Sequence, residues 1–272
     1  MTLLISPILT LIISISININ HKKVPFNVAK PEIKLELSQQ LREISGLTWH
    51  KGQLGAVQDE DGILYLLDSK SGAISEKVKF SSPGDFEGVE VIGNEFYILT
   101  SSGTLFSFNK DNPKKLTRIE TKLSWKNDAE GLAYDALNNQ LLIVCKESGS
   151  IGKNKVKGKA IYALSLDDHK LSKNPIAIIK KSEVEKYAKL EKFKPSGLAV
   201  DPLTKDIYIL ASAGNLLVVL NSTYKIKAVE KLPGKIYGQP EGICFSPKGD
   251  LFISNEGGNH KPNIYHLLRL PL

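Results

Sequence analysis

A chain of 272 residues with 42% hydrophobic side chains can bury a substantial core in one large domain or two small ones. Its net charge of +7 comes almost wholly from lysine, with arginine only at Arg42, Arg118 and Arg269. Spread lysine reads as solvated surface; without clustered guanidinium groups and interleaved aromatics, no nucleic-acid partner is expected.

Met1 to Ile19 carry no charged side chain and are rich in Leu and Ile. Residues 1–20 read as a signal peptide, with Ser14-Ile15-Ser16 as a small-x-small cleavage site, although no basic residue precedes the apolar run. The rival is an N-terminal membrane anchor, because the run approaches the ~20 residues that span a bilayer. Export to the periplasm or cell envelope is expected, with membrane association through the N-terminus as the alternative. Residues 21–31 read as a linker, and 32–272 as the folded domain. Within it, "EIKLEL" (Glu32–Leu37) is a strand with no evident partner nearby.

From Glu43 onward the chain repeats itself. "EISGLTW", "DFEGVEV", "DAEGLAY", "KPSGLAV" and "QPEGICF" each place Glu or Ser before a glycine and then alternate apolar residues. The glycines fall at 46, 88, 131, 197 and 242, at intervals of 42, 43, 66 and 45. A turn and a second strand follow each copy, as in "EFYILTSSG" and "DLFISNEGG", then a third strand such as "ILYLLD" or "LLVVLN". A more polar fourth strand fits "AISEKVKF", "KLTRIET", "PIAIIKK" and "KIKAVEKL". Four antiparallel strands recurring every 40–45 residues or so mark a β-propeller blade. The fold is therefore read as an all-β, five-bladed β-propeller, with six blades as the alternative. Only 30 residues follow Gly242, enough for three strands. The unclaimed strand at Glu32–Leu37 is expected to close the last blade and remove its open edge.

The long interval holds two inserts. "SGSIGKNKVKGK" (Ser148–Lys159) lacks phosphate-loop spacing and reads as a solvated loop. Ser182–Phe193 reads as a short helix, with Ser182 and Glu185 at capping-box spacing and Val184, Tyr187, Ala188 and Leu190 on one face. Cys145 and Cys244 lie in apolar runs of different blades and are expected to be buried free thiols.

Aligned, the repeats yield two columns. The residue before the glycine is Ser45, Glu87, Glu130, Ser196 or Glu241; the residue ending the second strand is Asp59, Ser101, Glu147, Ser212 or Glu256. Inner strands of a propeller meet around one axis, so residues in one register converge. Asp59, Glu87, Glu130, Glu147, Glu241 and Glu256 are thereby placed around one narrow space, where like charges and desolvation are costly. A bound cation resolves both, and oxygen-only ligands point to Ca2+ rather than zinc or copper. The five histidines show no metal-binding spacing.

The motifs "EISGLTW", "DFEGVEV", "DAEGLAY" and "QPEGICFSPKGDLFISNEGG" resemble the SdiA-regulated protein family, itself distantly similar to NHL-repeat propellers. The resemblance runs from about Glu43 to the C-terminus. It implies a five-bladed propeller with a calcium site at the positions matching Glu87, Glu130, Glu147, Glu241 and Glu256. Ser101 and Ser212 depart from the acid found in relatives. Two functions stay open: a calcium-binding propeller with a ligand-binding or interaction role, and a calcium-dependent hydrolase of lactonase, esterase or phytase type acting at the channel. No Ser-His-Asp set or G-x-S-x-G can be identified, so the catalytic residues are unknown. A monomer is expected, and the ligand is open.

Overall fold

The computed structural model describes residues 23–271. The segment read as a signal or anchor lies outside the described residues. Among the described residues no helix is long and apolar enough to cross a membrane.

The first strand, β1 (Ile33–Glu36), precedes the first repeat. Blade 1 then comprises β2 (Ile44–His50), β3 (Gln53–Gln58), β4 (Ile63–Asp68) and β5 (Ile74–Lys79). Blade 2 comprises β6 (Phe86–Ile92), β7 (Glu95–Thr100), β8 (Leu105–Asn109) and β9 (Thr117–Ile119). Blade 3 comprises β10 (Ala129–Asp135), β11 (Gln140–Cys145), β12 (Lys159–Ser165) and β13 (Ala177–Ile179). Blade 4 comprises β14 (Lys194–Val200), β15 (Ile207–Ala213), β16 (Leu216–Leu220) and β17 (Ile226–Lys231). The last blade begins with β18 (Pro240–Phe245), β19 (Leu251–Asn255) and β20 (Asn263–Leu267). Each sheet is antiparallel and four-stranded, and the fifth has the order β1-β20-β19-β18. Leu35 faces Ile264 and Ile33 faces His266 in that closing pair. The five-bladed reading and its N-terminal closure are both observed.

Five apolar clusters fill the five gaps between neighbouring blades. A middle strand is covered on both faces, which is why β16, Leu-Leu-Val-Val-Leu, is buried at every position. The outer β13 buries only alternate residues. This is the difference between a strand inside a stack and one at its rim.

Three local expectations are revised. The helix expected over Ser182–Phe193 is a single turn, α1 (Lys181–Val184). The Glu183 carboxylate accepts from the Lys180 N–H at 3.1 Å, so capping lies two residues earlier than Ser182 and Glu185. Val184, Ala188 and Leu190 all pack on the blade 3–blade 4 cluster, and the chain turns to bring them there instead of running on as one helical face. The stretch read as a linker is packed over residues 24–28: Val24, Phe26 and Val28 join the core between blades 4 and 5. Finally, the loop after Glu147 is only partly exposed, with Gly149 buried, and its start is anchored, with Asn127 Nδ2 donating to the Ser148 and Ser150 carbonyls. Both cysteines are free and buried.

Candidate metal centre at the acidic throat

The residue before each repeat glycine stands at an interruption of the ladder. Pairing of the inner strand with its neighbour shifts register between Ile44 and Gly46, Phe86 and Gly88, Ala129 and Gly131, Pro195 and Gly197, and Pro240 and Ile243. Such a bulge leaves one residue unpaired and re-aims its side chain. Here the unpaired residues are Ser45, Glu87, Glu130, Ser196 and Glu241, and the last follows the same pattern with Gly242. The glycines themselves form the inner wall. A Cβ on Gly197 would stand 2.4 Å from the Glu241 carbonyl oxygen, and one on Gly46 would stand 2.9 Å from the Val89 nitrogen. Only glycine admits that approach of one blade's backbone to the next.

The two serines of this column stitch blades together. Ser45 Oγ donates to the Phe86 carbonyl at 2.6 Å, and Ser196 Oγ donates to the Pro240 carbonyl at 2.8 Å. The three glutamates of the column, Glu87, Glu130 and Glu241, line one constriction of about 10 Å³. Glu130 and Glu241 are buried, whereas Glu87 keeps some exposure. Burial pushes the Glu87 carboxyl far up, with the Glu130 and Asp85 charges adding to it. Burial likewise raises Glu130, opposed by Lys146. Glu241 is pushed up to about 8, first by burial and then by Glu130 and Glu256, while a hydrogen bond from Ser212 works the other way.

Glu256 and Asp59 stand at the rim. Glu256 is pushed up to about 7 by burial, then by Glu43 and Asp59. Asp59 is pushed up to about 6 by burial, then by Glu43 and Glu60, and its buried Oδ1 has no hydrogen-bond partner. Glu147 is placed elsewhere. Its carboxylate is exposed, ion-paired with Lys194 and 3.9 Å from Lys159, and the Lys194 contact holds it below the usual range.

Four contributors escaped the sequence columns. Asp85 shares a hydrogen bond with Glu87 and accepts another from Ser101, and Glu43 shares one with Glu256. Asp128, with left-handed φ of 53°, adds its charge beside Glu130. Glu43, Asp85 and Asp128 lie two residues before the bulge, so the same repeats would have exposed them as a third column. The fourth is Lys146, whose Nζ is 2.7 Å from Glu130 Oε1. Burial works most strongly against its ammonium, but Glu130, Glu241 and Asp128 together outweigh it and the pKa is raised. The serines at the departures are hydroxyl donors: Ser101 to Asp85 and Ser212 to Glu241.

The donor chemistry fits a hard cation: oxygens only, several carboxylates destabilised by burial, and an orphaned Asp59 oxygen. Among the described residues, no three Asp, Glu, His or Cys side chains are grouped as ligands of one ion. Lys146 takes one Glu130 oxygen.

A family profile described as SdiA-regulated matches residues 26–269. No match was found among curated protein sequences. Solved structures of similar shape include Myxococcus xanthus glutaminyl cyclase, at 17% identity, 88% of this chain and 95% of that one covered, and a TM-score of 0.59. The PQQ-bound aldose sugar dehydrogenase of Streptomyces coelicolor is similar at 13% identity, 88% and 97% coverage, and a TM-score of 0.53. A chain of a nidogen/laminin complex matches at 13% identity, 84% and 86% coverage, and a TM-score of 0.53. At these identities the likeness is one of fold.

Proposed function

This chain belongs to the SdiA-regulated family, and on that premise we propose that it is an exported β-propeller that binds calcium at its acidic throat and serves in ligand binding or protein interaction. The observation that carries the reading is the meeting of Glu87, Glu130 and Glu241, from three blades, on one constriction. Lys146 is the ammonium that burial and geometry bring to these acids, and it is bonded to Glu130. One monovalent charge cannot offset three desolvated carboxylates.

Glu87, Glu130 and Glu241 would hold the ion, with Glu256 and Asp59 at the rim. Bound calcium supplies the positive charge that lets these carboxyls ionise. Lys146 competes with it for Glu130. Glu147 stays with its lysines. Export rests on the charge-free apolar start of the chain; N-terminal sequencing of protein from cell fractions tests it, and an intact Met1 on cytoplasmic protein refutes it.

The central test is elemental analysis of purified protein together with melting curves across a calcium titration. Calcium is expected in the protein, and the melting temperature is expected to rise with its concentration by mass action on the folded state. No calcium and an unmoved melting temperature at millimolar calcium would end the reading. The same preparation, offered lactones, aryl esters and phosphate esters with and without calcium, decides between binding and hydrolysis. Calcium-dependent turnover would replace the first by the second.

A further inference from the structure

Three positions beyond the acids, the inner strands carry a second ring: Thr48, Glu90, Ala133, Ala199 and Cys244. At about 3.3 Å per residue this ring lies roughly 10 Å further along the axis, towards the opposite mouth. There the channel widens into a cavity of about 280 Å³ to which all five blades contribute. Trp49, Tyr134 and Phe245 are among its walls, and Glu90 is part of its lining.

Glu90 is the one acid of this ring. Its Oε1 accepts from Thr48 Oγ1 and from the Val91 N–H, each at 2.8 Å, and its Oε2 accepts from the Tyr134 N–H at 2.9 Å. Each oxygen thus receives a backbone N–H, an arrangement that favours the ionised carboxylate. A carboxylate offers about four acceptor positions. Three are filled, and the open one is on Oε2. Glu90 lies deep in the propeller yet keeps part of its surface accessible.

Burial pushes its carboxyl above the usual range and outweighs these three donors, and among the described residues no cation acts on it to favour the charged form. Asp135 and Lys205 also line the cavity, and Lys205 uses one of its three N–H donors there. Lys205 Nζ donates to the Pro202 carbonyl at 2.7 Å, and Asp135 accepts from the Leu137 N–H, Asn138 and Gln140.

We propose that this cavity binds a small organic amine, whose ammonium donates to the open position on Glu90 Oε2 while an apolar or aromatic body packs among Trp49, Tyr134 and Phe245. A buried carboxylate without a counter-charge is costly, and an ammonium offsets that cost. Aromatic faces attract the same group through their quadrupoles. An anion would meet Glu90 at this position and could pair only with Lys205, which the phenylacetate control below tests. The cavity is at the small end of the roughly 300–1,000 Å³ found for ligand pockets, which limits the body to about one ring. The site is at the mouth away from the acidic throat and stands independently of calcium.

Calorimetric titration of the full chain with phenethylamine, with phenylacetate and 2-phenylethanol as controls, tests the assignment. Phenethylamine is expected to bind about tenfold or more tightly than either control, and Glu90→Gln to weaken it by about tenfold or more. Glu90 also ties blades 1 and 3 to blade 2, so the fold of that variant is checked by its melting curve. Ala136→Trp, at an exposed position on the cavity lining, is the second variant; it is expected to melt like the parent and to block binding. The proposal is overturned if phenethylamine fails to bind the parent chain, binds no better than 2-phenylethanol, or binds Ala136→Trp undiminished.

Discussion

Lys146 Nζ sits 2.7 Å from Glu130 Oε1, so the acidic throat of this propeller already holds one cation that belongs to the chain itself. Glu130 is almost fully buried, at 4% side-chain exposure, and Lys146 reaches it from a position that is 28% exposed. The ammonium offsets one of the three glutamates that line the constriction, while Glu87 and Glu241 remain raised by burial. It also sets up a competition, because an ion that binds Glu130 must displace the ammonium or share its partner.

Lys146→Met removes that ammonium and leaves Glu130 as an uncompensated buried acid. Breaking a buried pair in this way costs about 3–5 kcal/mol, and the partial exposure of Lys146 puts the expected loss near about 3 kcal/mol. In chelator the variant should melt well below the parent. Added calcium should recover most of that loss, at a lower midpoint concentration than for the parent. Equal calcium responses in the two proteins would show that the lysine and the ion do not share a site.

Glu241→Gln should have opposite effects with and without the ion. The amide keeps the size of the side chain and removes a buried charge that Glu130 and Glu256 repel. In chelator at pH 8 the variant should therefore be the more stable of the two, and in calcium it should gain less. Thermal melts in both buffers measure the pair of signs. A Gln that changes neither state would assign Glu241 to ordinary hydrogen bonding.

The pH dependence follows from the same shifts. Glu241 and Glu256 have folded pKa values of about 8 and about 7, both raised above the ordinary 4.5. For a raised carboxyl, the stabilising contribution is complete below the unfolded pKa and is lost as pH climbs through the folded one. Stability in chelator should fall between about pH 4.5 and pH 8. Calcium should flatten that decline, since it favours the ionised acids. Urea midpoints at intervals across this window test it, and a rise with pH in chelator would contradict it.

Gly197→Ala probes the ring of glycines. Its Cβ would stand 2.4 Å from the Glu241 carbonyl oxygen, a backbone atom that cannot move without opening the blade 4–blade 5 contact. Overpacking costs typically about 1–3 kcal/mol, and a clash with backbone belongs at or above the top of that range. A variant that melts like the parent would mean the blades part more easily than the structure implies.

The blade count, the strand order within each blade and the closure by Glu32–Leu37 were legible in the sequence, because each repeat carries its own turn glycines and alternating apolar run. A strand missing at one end and unclaimed at the other has few places to go. The convergence of Glu87, Glu130 and Glu241 was legible for the same reason: one register maps to one height on the axis. What the repeats could not convey is how individual side chains resolve crowding once they arrive there. Glu147 sits in the acid column by position, yet Lys194 and Lys159 hold it outside the throat. Lys146, its neighbour, turns inward to Glu130 instead. Asp85 and Glu43 join the acids through carboxyl–carboxyl hydrogen bonds. Glu90 is a single acid in an otherwise neutral ring, invisible to a search for repeated residues. Some of those choices are made inside one blade, as between Lys146 and Glu130, 16 residues apart, and depend on how side chains pack. Others, such as Lys194 with Glu147, 47 residues apart, and Glu43 with Glu256, need the closed ring to bring neighbouring blades together.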